Sequence, residues 1–426
     1  MSIRTKGKEI ILRALLLCLC AMLAAGCACA EKTEGVNLST DRRNTILYGT
    51  TLADGRILLV GRSREVPGED AGSAWLLCLN PDRTVSWEYT DDAKDDGYFA
   101  CAAELEDGTI GLVSGTMVQK PDSAYALRFF TTDGKPTGKE VNIPRRKGPV
   151  TVQNATKSRI QLVDMGGIRK AGENQYRSVH FDNYLIDWDG NEIAFLEDFD
   201  LGPFDGDMIE EADGLVMNGY ELQNFDASKA VRKTDLQGNL IWETRLECVW
   251  PDTTRADAER IIPAGDGGYI VLQVEPVYPK EDTDWEYRGA LVKLDRDGNI
   301  LWTRTEGFEF TDRGQLLVMD GGKIAATFTN NSFKVEDNPR RIAWFDENGK
   351  FLGNAEMEFG TENFPELKRL NEKPTSGIEE SLNFYGNRII PMEDGMWMLG
   401  DFWLVQAEKE EYYNSGLFRI PEPSEK

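Results

Sequence analysis

Histidine and cysteine are the residue types that this sequence has least of. Among its 426 residues there is one histidine, His180, and only three of the seven cysteines lie beyond residue 29: Cys78, Cys101 and Cys248. A single histidine excludes metal sites built from several histidines and leaves one candidate for a histidine-based triad. So few cysteines exclude a disulfide-built scaffold, although the sequence leaves open whether Cys78 and Cys101 form a disulfide or are two buried thiols.

Basic residues are outnumbered by acidic ones. The chain has 48 lysines and arginines against 73 acidic residues, which gives a net charge of −25. Nucleic-acid binding relies on clustered basic residues that displace counterions from phosphates, so we expect no nucleic-acid partner. The apolar share of 41% and the aromatic share of 10% are sufficient for a packed core.

The first thirty residues have the pattern of an export signal. A basic head (residues 1–13) precedes an apolar stretch (residues 14–25), which is shorter than the roughly 20 residues of a bilayer span. The ending Leu23-Ala24-Ala25-Gly26-Cys27 resembles the lipobox of bacterial lipoproteins, which implies lipidation of Cys27 and anchoring to a membrane in the cell envelope. Ordinary signal cleavage after Ala28-Cys29-Ala30, which would give a secreted protein, and an uncleaved anchor are the alternatives. Residues 1–26 hold four basic residues and one acidic residue, so the mature chain carries a charge of about −28.

The rest of the chain repeats one unit of about 50 residues. The unit consists of a tight turn, an apolar run, a variable segment, a second apolar run, another tight turn and a closing apolar run. The second turn recurs every 48 to 60 residues, at Asp82-Arg83, Asp133-Gly134, Asp189-Gly190, Gln237-Gly238, Asp297-Gly298 and Asn348-Gly349. Asp-Gly and Asn-Gly between apolar runs are hairpin signals, because glycine adopts the positive φ that the turn needs.

An apolar run also precedes each first turn, so each unit contains four strands. This pattern predicts an all-β fold, a β-propeller of seven four-stranded blades, with six or eight blades as alternatives. Two β-sandwiches would explain the strands but not the constant spacing. The seventh unit lacks a fourth strand, which we expect an N-terminal strand near Gly35–Thr40 or Thr45–Tyr48 to supply. Only Ala256–Ile262 and Glu366–Asn371 suggest a helical turn.

The predicted organisation is a signal peptide at residues 1–26 and a lipid-anchored linker with a candidate closing strand at residues 27–44. A single propeller domain follows at residues 45–421, and a short tail covers residues 422–426.

The units, typified by Asp-Gly-Gly-Tyr-Ile at 266–270 and Leu-Val-Lys-Leu-Asp-Arg-Asp-Gly-Asn-Ile-Leu-Trp at 291–302, resemble the repeats of bacterial exported β-propeller lipoproteins. They are similar, more loosely, to PQQ-type and WD40-like repeats. The resemblance covers roughly residues 45–420 and is strongest in units one, four and five, which end in Trp87, Trp242 and Trp302. It implies an exported propeller scaffold; it implies neither a catalytic residue nor bound PQQ, and we expect no cofactor.

A four-stranded meander places its connections on two faces. We call the face with the first–second and third–fourth connections the turn face. The loop face carries the second–third and blade-to-blade connections, and its segments in this sequence are long and variable. Function tends to lie in long loops on a rigid frame, so we expect binding there.

The loop-face segments supply the candidate ligand-binding residues. Tyr278, Trp285 and Tyr287 lie among carboxylates, a mixture that suits a peptide or glycan if the rings are exposed rather than folded over the blade edges. Arg340 and Arg341 form a basic pair that is either a local anion site or solvated charge.

Acidic turns raise the question of calcium. Asp295–Asn299 has alternating acids, but an EF-hand needs ligands spread over about 12 residues, so we interpret it as a hairpin turn. Asp91–Asp96 is a better candidate, although a solvated charge run explains it too. We therefore predict no metal site, and we interpret His180 as a structural strand residue.

The sequence favours a non-enzymatic binding or scaffold module that takes a protein, peptide or envelope glycan on its loop face. The alternative is an extracytoplasmic hydrolase or lyase with carboxylates at the central channel. A structural subunit of an envelope assembly is a third hypothesis.

Overall fold

The computed structural model describes residues 35–38, 42–65, 72–91, 97–116, 125–143, 150–169, 178–196, 207–220, 229–277, 286–308, 316–327, 340–357, 381–406 and 409–423. Within these ranges the chain forms strands and turns, and no helix. The described residues accordingly include no helix with the length and apolar character needed to cross a membrane.

Twenty-eight strands follow one another along the chain. The first half comprises β1 (Gly35–Asn37), β2 (Arg42–Thr51), β3 (Ile57–Glu65), β4 (Ser73–Leu79), β5 (Val85–Thr90), β6 (Gly97–Glu104), β7 (Ile110–Thr116), β8 (Ala126–Phe130), β9 (Pro136–Asn142), β10 (Val150–Ala155), β11 (Ile160–Arg169), β12 (Ser178–Ile186), β13 (Glu192–Leu196) and β14 (Met208–Glu211). The second half comprises β15 (Gly214–Tyr220), β16 (Lys229–Thr234), β17 (Leu240–Thr244), β18 (Asp257–Pro263), β19 (Tyr269–Val277), β20 (Glu286–Leu294), β21 (Ile300–Arg304), β22 (Leu316–Asp320), β23 (Lys323–Thr327), β24 (Arg340–Asp346), β25 (Phe351–Met357), β26 (Ser381–Met392), β27 (Gly395–Gln406) and β28 (Lys409–Arg419).

These strands form seven antiparallel four-stranded sheets, which confirms the seven-bladed propeller. Blades 1 to 6 are four consecutive strands each, from β2–β5 to β22–β25. Blade 7 has the order β26-β27-β28-β1, so the N-terminal strand is its outer strand, with Gly35 opposite Phe418 and Asn37 opposite Gly416. The closing strand is therefore Gly35–Asn37, the first of the two predicted positions, and Thr45–Tyr48 lies within β2.

The helical turn suggested at Ala256–Ile262 is wrong, because these residues enter and form β18. A register shift between Ala258 and Arg260 marks a β-bulge in the β18–β19 ladder. The extra residue breaks the strict alternation of apolar and polar side chains that normally identifies a strand. The other suggested turn, Glu366–Asn371, lies outside the described residues.

The core is divided among the seams between blades. The described residues form seven hydrophobic clusters, and each cluster combines side chains from two adjacent blades. Trp75 and Trp397, for example, fill the seam between blades 1 and 7, and both are fully buried. Cys78 and Cys101 are free and buried in such seams, and burial raises the pKa of the Cys78 thiol to about 11.

The tryptophans that close three units pack on glycines of the next blade. A Cβ on each glycine would lie 2.4 to 2.6 Å from the indole ring, and each glycine has a φ between +76° and +84°. The pairs are Trp87 with Gly134, Trp242 with Gly298 and Trp302 with Gly349. Glycine is thus required at these turns for two reasons: it adopts the positive φ, and it allows the close approach of the ring.

Blade 1 departs from this arrangement at Arg83, a non-glycine residue with a φ of 69°. Its turn faces blade 7, whose outer strand β1 (Gly-Val-Asn) has no tryptophan. The Arg83 guanidinium instead donates to Asp394 at 2.6 Å and lies 4.3 Å from the centre of the Trp397 ring. This ion pair and cation–π contact join the first and last blades.

Turn-face hairpins satisfy their own backbone. Asp295 Oδ1 accepts from the backbone N–H groups of Asp297 and Asn299 at 2.9 and 2.8 Å, and Oδ2 accepts from the Asn299 side chain. These hydrogen bonds lower the pKa of Asp295, with the side-chain bond as the largest cause. Asp187 and Asp235 head the same arrangement, and the hairpin interpretation of Asp295–Asn299 is confirmed.

Candidate functional site: the loop face of blade 5

The predicted site residues are only partly visible in the described ranges. Tyr278, Trp285 and Cys27 lie outside them. Tyr287 lies in β20 and is 9% exposed, so its ring is packed rather than offered to solvent. Arg340 and Arg341 begin β24, opposite Met357 and Glu356 of β25, at the loop-face end of blade 6.

The loop face is best defined between β17 and β18. This segment, residues 245–256, is the one blade-to-blade connection that the structure describes from end to end. It has no hairpin of its own to satisfy its backbone, and side chains of blade 5 take that role.

Glu275 is the principal anchor of this segment. Its side chain is fully buried, and its Oε1 accepts from the backbone N–H of Val249 at 2.8 Å. Oε2 accepts from the backbone N–H of Trp250 at 3.2 Å and from the Thr253 hydroxyl. Four donors in total surround the carboxylate, since Gln273 adds a side-chain bond of 2.6 Å. Donors aimed at a buried carboxylate give charge-assisted bonds that are stronger than neutral ones.

Gln273 extends this anchor along the segment. Its Nε2 also donates to the backbone carbonyl of Glu247 at 2.9 Å. A short bridge between Thr253 and Val277 then fastens the far end of the segment to β19. Residues 247–253 are therefore held to blade 5 at several points before any ligand arrives.

Trp250 adds a second attachment. Its indole N–H donates to the carbonyl of Gly289 at 2.9 Å, and the Arg288 guanidinium lies 5.4 Å from the centre of the ring. Arg288 also forms an ion pair with Asp252 at 2.8 Å, which lowers the pKa of the Asp252 carboxyl. Ring, guanidinium and carboxylate thus form one packed group at the surface.

The seam between blades 4 and 5 is polar at this end. Asn218, fully buried in β15, donates to the carbonyls of Ala258 and Glu259 at 2.8 and 3.0 Å, beside the β18 bulge. Its Oδ1 accepts from the backbone N–H of Asp207 at 2.7 Å. Asp207 in turn bonds Arg260 and the backbone of Ile261. Side chains of one blade therefore support the backbone of the next.

Sequence reasoning missed Glu275, Gln273 and Asn218. A signal was present, because Gln273 and Glu275 interrupt an otherwise apolar run, Tyr269–Val277, at alternate positions. Two polar residues on one side of a buried strand indicate a specific polar partner. The partner itself, a connection 20 to 30 residues earlier in the chain, could not be identified from the pattern.

The turn face has an open cleft between blades 1, 6 and 7, with a volume of about 310 Å³, lined in part by Thr51, Asp54, Asp320, Pro391, Met392 and Glu393. Its three carboxylates are the residue type that the hydrolase alternative requires. The side-chain hydrogen bond from Arg56 lowers the pKa of Asp54, whereas a general acid needs a raised pKa. Among the described residues, no group of three or more histidines, cysteines or acids is arranged to hold a metal ion.

Comparisons with known proteins find distant structural similarity only. The sequence matches no protein-family model and no curated protein sequence. The structure is similar to a protein of unknown function from Dyadobacter fermentans at 10% identity (TM-score 0.42, 91% of this chain and 98% of that one). It is also similar to the GH93 α-L-arabinofuranosidase of Fusarium graminearum at 7% identity (TM-score 0.40, 91% and 97%) and to the WD40 domain of SCAP from fission yeast at 10% identity (TM-score 0.34, 91% and 98%).

Proposed function

We propose that this chain is an exported propeller that is anchored by a lipid at Cys27 and binds a protein, a peptide or an envelope glycan on its loop face. Its place is the cell envelope, outside the cytoplasm, with a secreted form as the alternative. Tyr278, Trp285, Arg340 and Arg341 belong to loop-face connections or to the strand ends beside them, and they remain the predicted ligand-binding residues. The ring of Tyr287, which was predicted with them, is packed.

One observation carries the proposal: the two faces differ in the length of their connections. Strand bounds leave two to five residues for every connection on the turn face. On the loop face, the connections have six to 23 residues, with two exceptions: β1–β2 has four and β27–β28 has two. Long connections on a rigid scaffold are where proteins place variable binding residues.

The choice of face can be tested by photo-crosslinking in the native host. Benzoylphenylalanine replaces Val249 on the loop face or Val85 at the turn-face end of blade 1; these side chains are 40% and 58% exposed. We expect a discrete crosslinked product at position 249 and none at position 85. Products at position 85 alone would contradict the proposal.

Membrane anchoring is tested separately. Cys27→Ser removes the thiol that would carry the lipid, so the protein should move from the membrane to the soluble fraction. Cys29→Ser is the matched control and should leave the protein with the membranes. Unchanged membrane retention of Cys27→Ser would remove the lipid from the account but would leave the binding face untouched.

A further inference from the structure

Residues 247–252 are held to blade 5 on their inner side, and the side chains of Glu247 and Val249 are exposed on their outer side. On the inner side, the backbone N–H of Val249 donates to Glu275, and the backbone carbonyl of Glu247 accepts from Gln273. Where residues i and i+2 direct backbone groups to one side, the residue between them directs its own to the other, which places the N–H and carbonyl of Cys248 on the side away from blade 5. The alternation ends at Trp250, whose N–H also donates to Glu275. Within the described residues, Cys248 has no backbone hydrogen-bond partner.

The outer surface offers the Val249 and Glu247 side chains, whereas the Cys248 thiol is hydrogen-bonded to Thr253 and Glu275. Cys248, Val249 and Glu247 are all exposed, and Val249 is one of the few large aliphatic side chains at the loop-face end that is at least 40% exposed. An exposed aliphatic residue beside an open backbone donor and acceptor matches an extended polypeptide, which adds main-chain bonds and one side-chain contact.

The charge of this segment indicates the charge of its partner. The arginines around the segment are already paired with carboxylates: Arg245 with Glu243, Arg255 with Asp257 and Arg288 with Asp252. Glu247, in contrast, makes no ion pair with any described residue. The uncompensated charge here is therefore negative, like that of the whole chain at −25.

The same contacts argue against a sugar-stacking platform at Trp250. Its indole N–H is committed to Gly289 and the Arg288 guanidinium occupies a position over the ring. The ring supports the segment instead of standing open to a ligand.

We propose that residues 247–252 dock an extended, basic polypeptide segment through the Cys248 backbone, the Val249 side chain and the Glu247 carboxylate. This inference rests on the proposed function and gives its partner a chemical class. Because Glu275 holds the segment in place beforehand, docking requires little ordering of the receptor.

The test uses fluorescein-labelled nine-residue peptides that alternate lysine with valine or glutamate with valine, measured by fluorescence anisotropy on the mature protein. We expect the lysine peptide to bind at least tenfold more tightly than the glutamate peptide. Val249→Ser should weaken lysine-peptide binding by roughly five- to tenfold, because about two buried methyl groups are lost. Val85→Ser is the matched control and should leave the affinity unchanged.

Charge reversal supplies the second arm. Glu247→Lys should lower the affinity for the lysine peptide, whereas Glu106→Lys, at an exposed turn-face position of blade 2, should have a much smaller effect. Equal effects of the two reversals would mean that binding follows net charge alone, which would overturn the proposal. Binding of chitohexaose that is lost in Trp250→Ala, without peptide binding, would also overturn it.

Failure here is distinguishable from failure of the proposed function. If Val249→Ser leaves peptide binding unchanged while photo-crosslinking still gives products at the loop face, the partner binds elsewhere on that face. If crosslinks form at the turn face alone, both proposals fall.

Discussion

The turn face and the loop face of this propeller are built on the same 28 strands but satisfy their polar groups in different ways. Most turn-face hairpins use side chains within four residues, as Asp295 does for Asp297 and Asn299. Two of them also donate a backbone N–H to the next blade, from Ala53 to Glu104 and from Ser158 to Glu210. The described loop-face segment depends on Glu275 and Gln273, which follow it by more than 20 residues. Hydrogen bonds within a hairpin hold each turn separately. A loop that is held by a few side chains from a distant strand can vary in sequence everywhere else. The difference explains how a rigid repeat can carry a variable surface.

The largest effect is expected at the turn face, where a tryptophan ring packs on a turn glycine. Gly349→Ala places a Cβ about 2.5 Å from the Trp302 ring in a residue with a φ of 76°. We expect a loss of about 2 to 4 kcal/mol in the free energy of unfolding, from overpacking and the left-handed backbone together. Urea unfolding measures this loss.

Gly108→Ala is the matched control for Gly349→Ala. Gly108 has a φ of 78°, but its Cβ would meet no atom within 4 Å. Only the backbone cost of about 1 to 2 kcal/mol should appear. Equal losses in the two variants would mean that packing of the ring on the turn contributes nothing.

Glu275→Ala tests how strongly Glu275 holds the loop-face segment. It leaves the partly buried N–H groups of Val249 and Trp250 without their acceptor, which should cost about 1 to 3 kcal/mol. Amide hydrogen exchange should accelerate at least tenfold in residues 247–253 and stay unchanged at the 295–299 hairpin. Glu275→Gln, which keeps one acceptor oxygen, should show a smaller effect. Uniform acceleration across both regions would contradict a local anchor.

Acidification should affect the turn face through its lowered carboxyl pKa values. An unfolded aspartate titrates near pH 3.9, and Asp187, Asp235 and Asp295 titrate lower in the folded protein. Their stabilisation is complete above about pH 4 and is lost as the pH falls through the folded pKa values, because the unfolded state then binds more protons. The unfolding free energy should therefore decline below about pH 4.

Asp295→Asn should flatten that decline slightly, because one of the contributing carboxylates is removed. Asp297→Asn is the control, since the Asp297 side chain accepts no hydrogen bond from a described residue. Urea midpoints between pH 2.5 and 5 measure the effect. An identical pH slope in both variants would show that the hairpin bonds do not contribute.

The smallest effect is expected at the ring closure. Arg83→Gly relieves a left-handed backbone but loses the Asp394 ion pair and the contact with Trp397. Asp394 is 40% exposed, so screening limits the ion pair, and the net change should be below about 1 kcal/mol. A loss as large as that of Gly349→Ala would mean that closure relies on Arg83.

Sequence patterns predicted the repeating half of this molecule well. Hairpin signals such as Asp297-Gly298 are local, so they identified the turns, the blade number and the missing strand that Gly35–Asn37 supplies. The tryptophans of three units were visible, but their packing on glycines of the next blade is a contact over about 50 residues. The bulge at Ala258 obscured β18 because it disturbs the alternation on which strand prediction depends.

The candidate site was less predictable for the same physical reason. Composition pointed to aromatics such as Tyr287, which is buried, because composition does not state which way a side chain packs. Glu275 lies in a strand whose apolar sequence predicts a core position. Its partners are backbone groups of a distant connection, which a sequence pattern cannot identify. Long-range side-chain-to-backbone bonds leave almost no local signature.

The most direct test of the account uses Cys248, which is exposed on the loop face, while Cys78 and Cys101 are buried. Maleimide labelling of Cys248 is compared between intact envelopes and purified protein by peptide mass spectrometry, with Asp297→Cys as the turn-face reporter. We expect Cys248 to be protected in envelopes, where a partner covers it, and position 297 to be labelled equally in both samples. Equal labelling of Cys248 together with protection at position 297 would contradict the claim that the loop face is the binding face.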